Sequence, residues 1–474
     1  MKTIETLLIT ASVFLAPAIA NAAVCQVDPS GSFGMPHATI DDAIAFGGCD
    51  AANSIIEVYC PAGGCTHPSA TISGLSDITV VSAELWGHGP VQMTNSYSAN
   101  ALSIDASTGI VIEGFDLITA NDRAIEIVDS EVVVLGLPGL GRYTQTSGTT
   151  GVYVEGNSQV ELLYVGMTFS GTGLEVLTGG SAMAPQVAAT GMVAMNNDRA
   201  AVVDGSPGPV LDIRSDYGLA VHNYVMRNDE GIYAGGESDV TIDHTLFAAN
   251  LRLWPGSPLA PVLLEVDGHA DMTLRNVLIY DNDAKPNPGV QVPWSMFRWP
   301  WSCGGSPCLN TPGKILEHGS SGMVEIVAST VIDNQTDLVF NISGSGSGQM
   351  IVDHTILAHN WGKVFSMSSF SGCPPVQGVA SYFWDNRVNA APVGCPPPGI
   401  GIWDPAPISA GFTPDDVPGF PSIPAPFGDL YWVTSYEPMA PYALPAGLYA
   451  GPSWAVDGST IDGDPLDVGY HNPL

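Results

Sequence analysis

An all-β repeat fold, in which many short strands wind into stacked coils, is what this sequence predicts, and three observations carry the prediction. Only 13% of the residues are charged against 45% hydrophobic, with 54 Gly and 38 Pro in 474 residues. That composition suits short strands and frequent turns better than long helices. One phrase recurs: DVTIDHTLFAAN (239–250), DMTLRNVLIYDN (271–282), MVEIVASTVIDN (323–334) and QMIVDHTILAHN (349–360) share their apolar positions and close on Asn, and GIVIEGFDLITAN (109–121) fits with one extra residue. A second phrase runs between the copies: ALSIDAST (101–108), AIEIVDSE (124–131), GVYVEGNS (151–158), GLEVLTGG (173–180), AVVDGSPG (201–208), GIYAGGES (231–238), LLEVDGHA (263–270) and ILEHGSSG (315–322). Most of these open on a small residue, alternate apolar with polar, and end in a turn, which is strand chemistry with period two.

One unit of two or three short strands cannot bury its own apolar face, whereas a stack can, because each inward side chain then sits on its counterpart in the coil below. Val240, Ile242, Met272 and Leu274 are expected inward. Strand spacing sets a rise of about 4.8 Å per coil, so ten or eleven coils make a rod roughly 50 Å long. The closing Asn fits a tight turn in left-handed conformation, where stacked amides can bond along the axis.

This pattern resembles the right-handed parallel β-helix repeat of exported proteins, a superfamily that includes pectate lyases, polygalacturonases and surface adhesin-like passengers. The resemblance covers about residues 36–470. It implies an all-β, single-stranded right-handed parallel β-helix of about ten coils, with a short N-terminal capping helix and a Pro-rich C-terminal cap. It also implies either carbohydrate chemistry, by a polysaccharide lyase or a glycoside hydrolase, or a non-catalytic adhesin-like scaffold that displays a protein-binding edge.

The elements follow in order. Residues 1–22, MKTIETLLITASVFLAPAIANA, read as a secretory signal: Lys2 supplies the charge, Leu7–Leu15 the apolar run and Ala20-Asn21-Ala22 the cleavage site, so the protein is expected secreted or at the cell surface. Residues 23–470 form the β-helix domain. TIDDAIAFGGC (39–49) reads as the capping helix, about 39–48, with Thr39 as N-cap, Asp42 three residues on and Gly47-Gly48 as the stop. SIIEVYCPAGG (54–64) is the expected first strand. An aromatic insertion over 284–314, KPNPGVQVPWSMFRWPWSCGGSPCLNTPG at its heart, interrupts the repeat. From Cys373 the Pro-rich sequence reads as a loop-built cap over about 373–470, whose GPSWAVDGSTIDGDPLDVGYHNP resembles the closing segment of such proteins. No other apolar run reaches the length of a membrane span.

Eight Cys in an exported chain imply disulfides, and sequence proximity favours Cys25–Cys49, Cys60–Cys65, Cys303–Cys308 and Cys373–Cys395 among about 105 pairings. The formal net charge of −34 repels nucleic acid and anionic membranes, and disfavours polyanionic substrates unless a divalent cation intervenes. The expected partner is an extracellular glycan or a surface protein, met by a monomer. No cofactor is assigned: Asp457, Asp462, Asp464 and Asp467 lack the spacing and the Glu of an EF-hand loop and read as turn residues, with a Ca²⁺ site as the alternative.

Family motifs are incomplete. Asp243-His244 and Asp353-His354 match an Asp-His of pectate lyases, but Thr241 stands where those carry Trp, and Arg-x-x-Arg-x-Pro is absent. Because Asp-His decorates two copies of a template that lacks it elsewhere, it reads as part of an outer ladder in which Arg275 and Arg214 flank Asp243. Asp41-Asp42 and Gly87-His88-Gly89 match polygalacturonase pieces, and no Arg-x-Lys follows. Two sets of candidates remain. Asn197-Asp198-Arg199 and Asn228-Asp229-Glu230 fall at equivalent turns, so Asp198, Asp229 and Glu230 are the candidate catalytic carboxylates, with an Arg199–Glu230 surface pair as the structural alternative. Arg252, Trp254, Trp294, Arg298, Trp299 and Trp301 lie in two insertions that leave one turn of adjacent coils, and are the candidate binding residues, since indoles stack on sugar rings; the alternative is that they pack on the rod.

Overall fold

The computed structural model describes residues 23–95, 99–137, 142–214, 223–251, 261–280, 282, 302–303, 306–307, 313–332, 334, 336, 338–343, 348–353, 355–358, 360, 363–368, 376–379, 382–384 and 402–403. The signal segment 1–22, the binding candidates Arg252, Trp254, Trp294, Arg298, Trp299 and Trp301, residue His354 and the acidic turn 457–467 lie outside them.

The described strands form three long parallel sheets of 13, 13 and 11 strands, each strand pairing with its counterpart one coil away. Together they wind into a right-handed parallel β-helix, the sense favoured for any strand, crossover, parallel strand connection. Eleven coils carry all three sheets, the first being Ile55–Val58, Cys65–His67 and Ala70–Ser73, and the eleventh Gln349–Asp353, Ile356–Ala358 and Lys363–Ser368. The twelve-residue phrase supplies sheets 1 and 2 of a coil: Asp239–Asp243 and Thr245–Ala248 in coil 8, Asp271–Arg275 and Leu278–Tyr280 in coil 9. The second phrase supplies sheet 3.

Alternation builds the core. Val240, Ile242, Met272 and Leu274 are fully buried, stacked Val240 on Met272 and Ile242 on Leu274. Such like-on-like columns run the length of the rod; in sheet 3 Ile127, Val154, Val176 and Val203 form one. From coil 6 onward the outward positions of sheet 2, Val193, Tyr224, Leu246 and Leu278, are buried too, which is why TLFA and NYVM are apolar on both faces.

The capping helix spans Ile40–Gly47. Thr39 Oγ1 accepts the Asp42 N–H at 3.0 Å, and Gly48 ends the helix in left-handed conformation. Ile40 and Ala43 are buried against the first coil, and the disulfide Cys25–Cys49 ties down the C-terminal end. Cys60–Cys65 is the second described disulfide; Cys308, Cys373 and Cys395 fall outside the described residues.

Three boundaries differ from the sequence expectation. The first strand of sheet 1 is Val24–Val27, ahead of the helix, and it pairs with Ile55–Val58. The region read as a loop-built cap continues the sheets: Val376–Val379 pairs with Met350–Asp353, and Tyr382–Trp384 with Ile356–Ala358. The aromatic insertion ends sooner than 314, because Lys314 already opens the sheet 3 strand Lys314–His318. In each case a strand of three to five residues sits beside turn-forming sequence, and the neighbouring coil, not local periodicity, fixes it.

Candidate functional site

The turn between sheets 2 and 3 organises the site. Its Asn residues stack into a buried amide ladder: Asn197 Nδ2 donates to Asn228 Oδ1 (3.0 Å), Asn228 to Asn250 (3.0 Å), Asn250 to Asn282 (2.9 Å), Asn282 to Asn334 (3.0 Å) and Asn334 to Asn360 (2.9 Å). Each Oδ1 also takes the backbone N–H of the Asn one coil earlier, as in Asn228 N–H to Asn250 Oδ1 at 3.0 Å. The expected stacking is present, but the left-handed residue is not the ladder Asn. It is the residue before it: Phe169 precedes Ser170, which occupies the ladder position in coil 5, and Asn196, Arg227 and Ala249 follow in coils 6 to 8, with φ of 55°, 57°, 56° and 54°. The backbone reversal aims the Asn amide inward and projects its predecessor outward.

Beyond the ladder the chain enters sheet 3 differently in each coil. In coil 6 it passes through Asp198 into Arg199, and in coil 7 through Asp229 into Glu230. The Asp229 N–H donates to Asn197 O at 3.0 Å and the Glu230 N–H to Asp198 O at 2.8 Å, so the two acidic turns are stacked in register. In coils 8 and 9 the insertions 251–261 and 283–313 leave immediately after Asn250 and Asn282, whose side chains touch. The candidate carboxylates and the bases of both insertions therefore occupy four consecutive turns of one edge.

Arg199 and Glu230 face each other across the strand pair and form an ion pair through Nη2, with Nε donating to the same carboxylate oxygen at 2.7 Å. The Arg199 guanidinium also lies over the Tyr233 ring, 5.5 Å from its centroid. Asp198 is exposed and Asp229 half-buried. The outward face of sheet 3 next to this edge adds groups the sequence did not single out. Glu265 stands beside Tyr233 and Glu317 in the central row. Burial pushes its carboxyl above the usual range, Arg199 opposes that, and Glu317, Glu230 and Asp267 reinforce it. Lys314 is committed to Glu317 at 2.6 Å, and Asn341 Nδ2 donates to the same carboxylate at 2.9 Å. Farther down, Arg123 stacks on the buried Tyr153 ring and pairs with Glu126. The Tyr153 hydroxyl donates to Glu155 at 2.7 Å, and burial with that bond pushes its pKa up to about 12. These groups stayed hidden because alternation marks them as outward without telling which rows meet.

The Asp-His pair lies elsewhere, at the turn from sheet 1 to sheet 2. His244 is left-handed (φ 46°) and only 1% exposed, with Nδ1 2.7 Å from Asp243 Oδ1. Asp243 and Arg275 are in register as expected; Arg214 pairs with Asp212 of its own strand at 2.5 Å, and His244 is inside, not on the surface. Asp41 and Asp42 serve the capping helix, where Asp41 Oδ1 accepts the Thr71 N–H at 3.0 Å. His88 packs edge-on against Tyr59 and Phe33. Among the described residues no three His, Cys, Asp or Glu side chains converge to hold a metal ion, and no helix is long and apolar enough to cross a membrane.

No family profile and no curated protein matches this chain. Among solved structures, the crystal structure of pectate lyase Pel9A is similar over 95% of this chain and 96% of that one, with 12% identity and a TM-score of 0.39.

Proposed function

We propose that this chain is an exported rod that binds extracellular carbohydrate along the edge formed by the turns of coils 6 to 9. One observation carries the reading: the acidic turns at Asp198 and Asp229 and the bases of the two insertions that hold Arg252, Trp254, Trp294, Arg298, Trp299 and Trp301 follow one another coil by coil. Acceptor carboxylates beside flat aromatic rings and guanidinium groups make up the side-chain set that recognises sugar, with rings for apolar sugar faces and charges for hydroxyls. Export is inferred from residues 1–22 and agrees with the two disulfides Cys25–Cys49 and Cys60–Cys65.

For bond cleavage on this edge, Asp198 and Asp229 are the groups proposed to act on the glycan. Glu230 is committed to Arg199 by an ion pair. The test is a glycan array on the intact protein, with release of reducing or unsaturated sugar measured in parallel, repeated for Trp299→Ala combined with Trp301→Ala. Lost glycan binding with an unchanged melting temperature supports the reading. Unchanged binding, or a collapse of stability showing that the rings are internal packing, contradicts it, and binding confined to a protein ligand would favour the adhesin-like alternative.

A further inference from the structure

The turn edge continues below the carboxylates, and its next residues are oddly placed. Phe169 in coil 5 should be a core residue by alternation, because Val165 and Met167 of the same strand are fully buried. The left-handed backbone at Phe169 reverses it, and its ring is 72% exposed. A bulky residue with positive φ is an outlier, and the strain of about 1–2 kcal/mol would be absent with Gly. Above it, on equivalent left-handed positions, come the half-buried Asn196 and then the exposed Arg227; the backbone N–H groups of the three residues bond to the next coil at 3.3, 3.3 and 3.2 Å in turn. Arg123, Arg199 and Lys314 on the neighbouring sheet are all engaged in ion pairs, whereas Arg227 makes none among the described residues. The Asp198 carboxylate, two residues beyond Asn196, likewise makes no hydrogen bond among them. The edge thus presents an exposed ring, an uncommitted guanidinium and an uncommitted carboxylate within three consecutive coils.

From this arrangement we infer that the left-handed edge of coils 5 to 7 is a subsite for a linear, uncharged glycan laid parallel to the rod axis, with Phe169 as stacking platform and Arg227 and Asp198 as hydroxyl partners. This rests on the carbohydrate reading above and extends it by a site, an orientation and a substrate class. The orientation follows from spacing: a pyranose unit has about the height of one coil, ~5 Å, so successive sugars meet successive turns. The class follows from charge. The formal net charge is −34, and Arg227 is the one exposed cation without an ion pair among the described residues of the coil 5 to 7 turns, too few to neutralise a regularly charged polymer there. One donor group, Arg227, and one acceptor, Asp198, instead match the hydroxyls of neutral sugars, while the ring takes an apolar sugar face.

The experiment is calorimetric binding to the full chain, using cellohexaose, xylohexaose and mannohexaose as neutral probes, with hexagalacturonate and a heparin hexasaccharide as polyanions. Wild type should bind a neutral hexasaccharide and ignore both polyanions. Phe169→Gly should weaken that binding about tenfold while the melting temperature stays level or rises, because Gly relieves the left-handed strain. Phe169→Trp should keep binding, and Arg227→Gln should weaken it several-fold. Neutral binding untouched by Phe169→Gly overturns the subsite and leaves the carbohydrate reading standing. Preference for a polyanion overturns the substrate class. Absence of binding to every glycan overturns the carbohydrate reading and this inference with it.

Discussion

Replacing Asn250 by Ala should cost the rod about 4 kcal/mol, and the structure shows where that comes from. Asn250 Oδ1 accepts both the backbone N–H and the Nδ2 of Asn228, each at 3.0 Å, and its own Nδ2 donates to Val225 O at 2.8 Å and Asn282 Oδ1 at 2.9 Å. Removing the side chain leaves the buried Asn228 N–H with no acceptor. The Asn228 amide keeps Ala194 O at 3.0 Å, and Asn282 Oδ1 keeps the Asn250 N–H at 3.0 Å. One backbone donor is thus orphaned, an Asn228 amide hydrogen loses its partner, and two oxygens, Val225 O and Asn282 Oδ1, lose one donor each. At about 1–3 kcal/mol for each buried group left unsatisfied, and less for the partly satisfied ones, the total falls near 3–5 kcal/mol. Urea unfolding followed by tryptophan fluorescence gives the global cost, and native-state hydrogen exchange of the Asn228 amide gives the local one, which matters because a stacked-coil protein can open coil by coil. Asn250→Asp should cost at least as much, since it places an acceptor against Asn282 Oδ1 and buries a charge. A loss below about 1 kcal/mol, with Asn228 exchange unchanged, would refute the view that the ladder fixes this edge.

Ile242→Asp should prevent folding, because Ile242 is fully buried and an unpaired carboxylate would enter the column it shares with Leu274; a soluble protein with native circular dichroism and unchanged melting would contradict this. Asp243→Asn should leave any glycan-degrading activity within a few-fold, since the Asp243–His244 pair sits at the turn from sheet 1 to sheet 2, away from the candidate edge, with His244 buried; a loss of several orders of magnitude with folding intact would make that pair catalytic. The N-terminal cap should loosen on acidification. Buried His67 accepts the Ile40 N–H through Nε2 at 3.0 Å, with Nδ1 2.5 Å from Pro68 O, so the ring must be neutral there. Burial lowers its pKa, against the opposing pull of Pro68 O, Asp41 and Asp42. A His with a depressed folded pKa takes up its proton more readily when unfolded. Its contribution is therefore fully present above the unfolded value near 6.5 and is lost progressively as pH falls below it. Exchange of the Ile40 amide should accelerate beyond the intrinsic trend as pH falls below about 6.5, and a profile identical in His67→Gln would dismiss the mechanism.

Much of the winding was legible because it rests on period two. The register of Val240 on Met272 and Ile242 on Leu274 can be read by aligning the repeated phrases, and the capping helix announces itself in Thr39, Asp42 and Gly48. What stayed illegible depends on neighbours in space. The strand Val24–Val27 is four residues long and exists because Ile55–Val58 pairs with it. Phe169 reads as core by alternation and is exposed because one left-handed residue reverses the chain, a conformation with no compositional signal when its occupant is Phe, Arg or Ala. Glu265 became visible only when three carboxylates and Arg199 gathered round it. The stacking of Asp198 on Asp229 was readable because each follows a recurring Asn. The surroundings of the insertion rings were not, because those segments break the repeat that made the rest readable.

The stacked turns of coils 5 to 9 form the edge proposed to face the glycan. The most direct measurement is hydrogen exchange of the whole chain with and without the neutral hexasaccharide it binds best. Binding at this edge predicts protection in peptides containing Phe169, Arg227–Glu230 and Asn250-Leu251, with the outward strands of sheet 1, Asp239–Asp243 and Asp271–Arg275, unchanged. Protection confined to those sheet 1 strands, with the turn edge exchanging as it does in the free protein, would contradict the account.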